Sequence, residues 1–392
     1  MIGISKLYMG QVEVSDPLRY GRQSGRLPSH LLQFSADKKP VVVWNVTSAC
    51  NLKCTHCYAA TQGTPDELNT AEALRVIDDL AAFGCPVLLF SGGEPFVRPD
   101  IMTLAKYAAE KGLRVVFSTN GTLITAEIAR QIKDIGASYA GISIDGMEEV
   151  HDRFRASQGA FRKSLAAIRY CREAGVKVGL RVTMTRDNVD QIPAIFDLME
   201  REQIPRICLY HLVYCGRGAD IASHDLDHAL RRETVDLIIE RTRRLHESGF
   251  PVEVLTVDNH CDGPYLYMRM LKEGNPRADE VMQLLKMNGG NSTGHGLACI
   301  SWDGTVYPDQ FWRNKPVGNV RETPFSEIWG KPDPDSLLGQ LRVKKQHVTG
   351  KCVDCRFLDV CGGNFRARAE AATGNIWGVD PACYLTDQEI GI

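Results

Sequence analysis

Six short apolar runs, rich in β-branched residues, alternate with longer helical patterns over residues 40 to 213. The runs are PVVVWNVT at 40 to 47, PVLLFS at 86 to 91, RVVFST at 114 to 119, YAGISI at 139 to 144, VKVGLRVTMT at 176 to 185 and RICLYHLV at 206 to 213. Between them TAEALRVIDDLAAFG, DIMTLAKYAAEKG, TAEIARQIKDIG and AFRKSLAAIRYCREAG carry apolar residues at helical spacing, and each closes on a glycine, as helix ends often do. Six βα units in a row imply an α/β fold with a parallel sheet and right-handed crossovers, either open and doubly wound or curved as a partial barrel.

Both architectures place ligands at the carboxyl ends of the strands. Those ends carry the unusual residues: TSACNLKCTHCYA after the first run, SGGEP after the second, STNGT after the third and SIDG after the fourth. Any one glycine-bearing turn is weak evidence, since Gly-Gly or Asn-Gly is more often only a turn. Four polar loops on one rim, three of them with glycine, describe a site, because glycine lets backbone approach a ligand and acids and hydroxyls can fix it. The first loop puts Cys50, Cys54 and Cys57 in a C-x3-C-x2-C run. Three thiols leave a tetrahedral zinc one ligand short unless His56 or a distant residue completes it, whereas a four-iron cluster held by three cysteines keeps one iron open.

The chain has 392 residues, a net charge near −2 and no basic stripe, so nucleic acid is not suggested as a partner. No apolar run approaches the roughly 18 residues of a membrane span. The N-terminal MIGISKLYMGQVEVSD lacks an apolar signal region, which points to a cytoplasmic protein. Thirteen cysteines are many for a reducing compartment and fit metal or cluster ligation better than disulfides. Cys85, Cys171, Cys208, Cys215, Cys261 and Cys299 are scattered and read as small buried hydrophobes.

Over about residues 40 to 215 the sequence resembles the radical S-adenosylmethionine (AdoMet) enzymes, whose C-x3-C-x2-C loop follows the first strand of a partial (βα)6, TIM-like barrel. The resemblance implies that Cys50, Cys54 and Cys57 hold three irons of a [4Fe-4S] cluster whose fourth iron binds AdoMet. It implies that His56 lies beside the adenine and that Gly92, Gly93, Glu94 and Pro95 receive the methionine ammonium. It also implies that Asn120, Ser143 and Asp145 lie near the ribose and carboxylate. Cleavage of AdoMet would give a 5′-deoxyadenosyl radical that takes hydrogen from substrate.

Near the C-terminus Cys352, Cys355, Cys361 and Cys383 form C-x2-C-x5-C-x21-C, a spacing that suits zinc or an iron-sulfur cluster. The stretch resembles the SPASM extension, which implies a smaller C-terminal iron-sulfur cap domain with an auxiliary [4Fe-4S] cluster. A second auxiliary cluster would need thiols where this chain has Phe365 and Asp309, so one auxiliary cluster is expected and Cys299 reads as structural. The expected cofactors are therefore two [4Fe-4S] clusters and AdoMet.

The segments MIGISKLY, DPLRYGR, LPSHLLQFSADKKPVVVWN, DRFR with GAF, YHLVYCGRG, LTVDNHCDGP, NGGNSTG and DPACYLTDQEI together resemble the tetrapyrrole-modifying branch of this superfamily. That implies an iron tetrapyrrole substrate, removal of acetate side chains from 12,18-didecarboxysiroheme to give Fe-coproporphyrin III, and an electron donor such as flavodoxin or ferredoxin. A sister activity removes propionates instead, toward heme d1. A flat polycarboxylate needs cations at its rim. Arg153, Arg155 and Arg217 are the candidate clamps, and His211, His260 and His295 the candidate iron ligands, each set against a plain structural role. Tyr265 and Tyr267 can line a pocket or fill core.

Two rival readings are a peptide-modifying SPASM enzyme, for which residues 1 to 39 look too short and irregular to hold a peptide-binding domain, and an iron-sulfur or heme-binding sensor, against which the intact cysteine and GGEP motifs argue. The expected domains are an N-terminal arm at 1 to 39, the barrel at 40 to 250, and a linker with the auxiliary-cluster domain at 251 to 392, residues 250 to 300 reading as a loop over the barrel mouth.

Overall fold

The computed structural model describes residues 1–11, 39–59 and 66–392. The DPLRYGR segment and most of the expected N-terminal arm lie outside them. All six expected strands form, within two residues at either end: β2 (Val41–Asn45), β3 (Val87–Ser91), β4 (Arg114–Thr119), β5 (Tyr139–Ser143), β6 (Val178–Met184) and β7 (Arg206–His211), following a short β1 (Ile2–Gly3). They pair in parallel and in sequence order, as consecutive right-handed crossovers dictate. Trp44 stands opposite Phe90 and Phe90 opposite Phe117, with ring centroids 6.0 and 5.8 Å apart.

The helices form where caps and apolar spacing agree. The helix Thr70–Phe83 starts at an Asn69–Glu72 capping box, ends at Gly84 with φ 85°, and buries Ala73, Val76, Ile77 and Leu80, which lie on one face. With the other crossover helices it covers alternate strand positions, Val42, Trp44, Leu88, Phe90, Val115, Phe117, Leu180 and Val182 among them, in one large core. The intervening positions face the other way. Val87, Val116 and Tyr139 make one small cluster there and Cys208, Leu255 and Val257 another. This second, inner face carries the polar strand ends.

The expected loop at 250 to 300 is corrected by the structure. It holds β8 (Glu253–Val257), helices Asp262–Lys272 and Ala278–Asn288, and β9 (Leu297–Ile300). β8 continues the parallel sheet beside β7, and β9 joins its opposite end beside β2. The strand EVLTV is short and the glycine-rich NGGNSTGHG obscured the apolar pattern around it. With antiparallel β10 (Thr305–Tyr307) and β11 (Gly318–Asn319), the sheet has 11 strands among the described residues, in the order β1-β8-β7-β6-β5-β4-β3-β2-β9-β10-β11, and runs past the expected boundary at 250.

The C-terminal cysteine segment is fastened to the carboxyl ends of β7 and β8. Arg368, fully buried, donates to both oxygens of Asp380 at 2.8 and 2.9 Å, to the Leu212 carbonyl at 3.0 Å and to the Asp258 carbonyl at 2.8 Å. Asn364 accepts from the His260 backbone at 2.6 Å and donates to Asn259 at 2.7 Å. Among the described residues no helix is long and apolar enough to cross a membrane.

Candidate functional site

The three-cysteine loop leaves the carboxyl end of β2 and is braced from five sides. Glu67 accepts from the Thr47 hydroxyl, the Ser48 backbone and the Ser48 hydroxyl at 3.1, 2.7 and 2.6 Å. The Gly93 and Glu94 amides donate to the Thr47 and Ala49 carbonyls at 2.8 and 2.9 Å. Asn51 joins Asn120 and Thr122 at 2.9 and 2.8 Å. The Thr55 amide reaches the Phe154 carbonyl at 2.9 Å. Arg217 donates from Nε to the Cys54 carbonyl at 2.7 Å and from its backbone to the Cys57 carbonyl at 3.0 Å.

Both glycines of the SGGEP turn are required by this apposition. A Cβ at Gly93 would lie 2.1 Å from the Ala49 carbonyl oxygen, and one at Gly92, which has φ 140°, 2.6 Å from that of Thr47. Gly93→Ala is therefore expected to displace the loop and deplete its iron while the C-terminal cysteines keep theirs. Iron and sulfide counts with EPR check this, and unchanged counts would contradict it.

The donors fit an iron-sulfur cluster. The Leu52 amide points at Cys50 Sγ at 3.4 Å, and Arg155 Nη1 at Cys54 Sγ at 3.5 Å. Burial pushes the Cys50 thiol up to about 11, so a metal bound here would have to stabilise the thiolate at neutral pH.

Behind the loop is a buried ion pair. Asp145 Oδ2 meets Arg155 at 2.5 Å, and its Oδ1 accepts from the Thr183 amide at 3.0 Å. Burial alone would raise the Asp145 carboxyl, but the Arg155 charge outweighs it and holds the group below the usual carboxylate range. His56 lies 3.9 Å from Asp145 and packs on Phe154. Burial lowers its pKa to about 4, so it is neutral at pH 7. Glu94 is fully buried and accepts from the Thr119 hydroxyl at 2.7 Å and the Asn120 and Phe96 amides at 2.8 and 3.2 Å. Burial still pushes its carboxyl up to about 7. Pro95 begins the short turn after it, and the Ser143 hydroxyl donates to the Thr119 carbonyl at 3.3 Å.

The C-terminal cysteines gather as expected. Cys352, Cys355, Cys361 and Cys383 line one cavity with Leu358, Asn364 and Asp380. Phe311, Trp312 and Phe365 pack together, and Asp309 accepts from the Thr293 hydroxyl and the Phe311 and Trp312 amides. Cys299 is buried and accepts from Asn45 at 3.6 Å.

Several substrate candidates turn out to be occupied. Arg155 pairs with Asp145 and points at Cys54, Arg217 donates from Nε to the Cys54 carbonyl, and Arg153 is exposed on the outer helix. His211 is a satisfied core histidine: Arg231 donates to its Nδ1 at 2.7 Å and its Nε2 reaches Asp262 at 2.9 Å, which fixes the neutral Nε2–H tautomer. His260 is buried with Nε2 at 3.1 Å from the Met1 amine, and His295 is exposed beside β9. Tyr265 binds Asp236 and packs on Tyr384, and Tyr267 packs on Phe357, so both fill core under the C-terminal segment.

The Radical SAM superfamily model matches residues 44–199, and the SPASM model, an iron-sulfur cluster-binding domain, matches residues 293–356. The second match includes Cys352 and Cys355 and stops before Cys361 and Cys383. The chain is 60% identical to Fe-coproporphyrin III synthase of Methanosarcina barkeri, over 100% of this chain and 99% of that one. It is 42% identical to pre-heme d1 synthase of Dinoroseobacter shibae, over 90% and 88%. It is 36% identical to AdoMet-dependent heme synthase of Nitratidesulfovibrio vulgaris, over 88% and 91%. Among solved structures it resembles Streptococcus suis SuiB bound to the precursor peptide SuiA, with a TM-score of 0.71 and 18% identity over 91% of this chain and 77% of that one. It also resembles anSMEcpe with bound AdoMet, with a TM-score of 0.66 and 18% identity over 88% and 93%. These two show the fold, an open barrel with a C-terminal extension.

Proposed function

Because this chain belongs to the radical SAM superfamily and is an enzyme with AdoMet and iron-sulfur clusters as cofactors, we propose that it removes the acetate side chains of 12,18-didecarboxysiroheme to give Fe-coproporphyrin III. The observation that carries this reading is identity of 60% over the whole length of a Fe-coproporphyrin III synthase, with no part of either chain left over beyond 1%. When bound, the first cluster and AdoMet supply one-electron cleavage and a carbon-centred radical that takes hydrogen at the substrate.

The chain's own residues hold and aim. Cys50, Cys54 and Cys57 are the ligands of the first cluster in this reading, and Cys352, Cys355, Cys361 and Cys383 those of the auxiliary one. Arg155 and Arg217 keep the first loop rigid, which fixes where the radical is released. Glu94, with the Gly92 and Gly93 carbonyls, faces the ammonium of AdoMet, and neutral His56 lies on the adenine side of the loop. Asn120, Ser143 and Asp145 border the ribose side. Electrons come from a small donor of the flavodoxin or ferredoxin type.

A pH dependence follows from Glu94. Its carboxyl, near 7 when nothing faces it, must ionise to meet an ammonium. AdoMet binding then expels a proton below pH 7, so affinity falls by about tenfold per pH unit on the acid side and levels off above 7. Glu94→Gln should bind more weakly and lose that slope. A wild-type affinity that is flat from pH 6 to 8 would contradict the role.

The function is tested by the release of 5′-deoxyadenosine from protein with reconstituted clusters, reductant and AdoMet. Release should depend on didecarboxysiroheme, and its absence with that substrate would remove the proposal.

A further inference from the structure

With Arg153 exposed and Arg155 and Arg217 engaged, two further guanidinium groups, Arg181 and Arg313, form no ion pair among the described residues, although the buried Asp258 carboxylate acts on Arg181 without bonding it. Arg181 stands midway along β6. Its neighbours Leu180 and Val182 belong to the helix-side core, so its side chain faces inward, 4.7 Å over the Tyr210 ring. Room for it comes from Gly141 on the adjoining β5, where a Cβ would lie 2.8 Å from Arg181 Cδ.

Toward the other end of the sheet, Arg313 lies 4.1 Å from the Trp302 ring centroid and 5.7 Å from that of Tyr307. It gives one hydrogen bond to the Ser301 hydroxyl at 3.3 Å, and its Nη1 is buried without a partner. The Tyr58 phenol bonds Asn45 and Ser91, whose neighbours Trp44 and Phe90 belong to the helix-side core, so it too lies on the inner face.

A structural role would look different. Arg206, also over a tyrosine on this face, is paired with Glu253 at 3.3 Å, and Arg368 with Asp380. Inward-facing cations are costly unless paired, so two left open toward the same face call for an anionic ligand. A guanidinium recognises carboxylate through parallel hydrogen bonds.

We infer that Arg181 and Arg313 bind two carboxylate arms of the substrate on the inner face of the sheet. This rests on the tetrapyrrole reading above. The carboxylate of AdoMet shares the chemistry, but it is one group, and two guanidinium groups on β6 and beyond β10 match a ligand with several.

The test uses protein with both clusters reconstituted. Fe-coproporphyrin III and didecarboxysiroheme are titrated by absorbance, and AdoMet by calorimetry. Arg181→Gln and Arg313→Gln should each weaken tetrapyrrole binding by about tenfold or more, Arg181→Lys should recover part of it, and AdoMet affinity should stay as in wild type. Wild-type protein should bind the fully methylated ester of Fe-coproporphyrin III as weakly as the double variant binds the acid, a comparison that does not depend on how the variants fold. Equal binding of acid and ester by wild type, wild-type affinity in both Gln variants, or loss of AdoMet binding alone would each overturn the assignment. Wild-type protein that binds neither tetrapyrrole would overturn the proposed function and this inference with it.

Discussion

Changing Cys50, Cys54 and Cys57 together to alanine is expected to remove about four irons per chain and all 5′-deoxyadenosine formation, while about four irons remain with the C-terminal group. The loop's supports make this a local loss. Glu67, Gly93, Asn120 and Arg217 contact its backbone or neighbouring hydroxyls and amides rather than the three sulfurs, so the fold does not depend on the thiols. Iron and sulfide analysis with EPR on anaerobically purified protein reads the outcome. Complete loss of iron would mean that the two groups assemble as one unit, and retention of AdoMet cleavage would mean that the cluster lies elsewhere.

The second large effect is expected at Arg368. Both partners of the Arg368–Asp380 pair are sealed from solvent, and the same guanidinium also satisfies two carbonyls at the ends of β7 and β8. Arg368→Met leaves Asp380 ionised and buried with no counter-charge, which typically costs about 3–5 kcal/mol. The C-terminal segment should detach first, because the pair joins it to the sheet. A marked fall in melting temperature, with loss of the auxiliary iron before the first cluster, is the expected result. Changing Asp380 to Asn in the same protein should recover part of the loss, since the stranded charge is gone. An unchanged melt for Arg368→Met would contradict the role given to this pair.

How much of this was legible in the sequence follows from the distances over which each signal acts. Strands buried on both faces of a parallel sheet read as continuous apolar runs, so β2 to β7 were visible. β8 and β9 were not, because β9 is only four residues long and follows a glycine-rich stretch, and β8 stands apart from the run of regular βα units. The two groups of cysteines were visible from their spacing, and the resemblance implied their role as ligands. The roles of Arg155 and Arg217 were not, because the groups they hold lie 101 and 163 residues away in the chain. Arg181 did leave a trace: in VKVGLRVTMT every second position, Gly179, Arg181 and Thr183, interrupts an otherwise apolar strand, which marks an inner face built for something other than core. Arg313 left none, since a cation in a loop after a short strand is ordinarily solvated. The core role of His211 was not legible either, because nothing local reveals that Arg231 and Asp262 take both its nitrogens.

The central claim is that acetate, not propionate, is the side chain removed. Protein with both clusters reconstituted, given dithionite, AdoMet and 12,18-didecarboxysiroheme under anaerobic conditions, should yield a product that co-elutes with Fe-coproporphyrin III and matches its mass, with all propionates retained. A product that keeps its acetates and has lost propionates would contradict the account and move this chain to the activity named for its relative from Dinoroseobacter shibae.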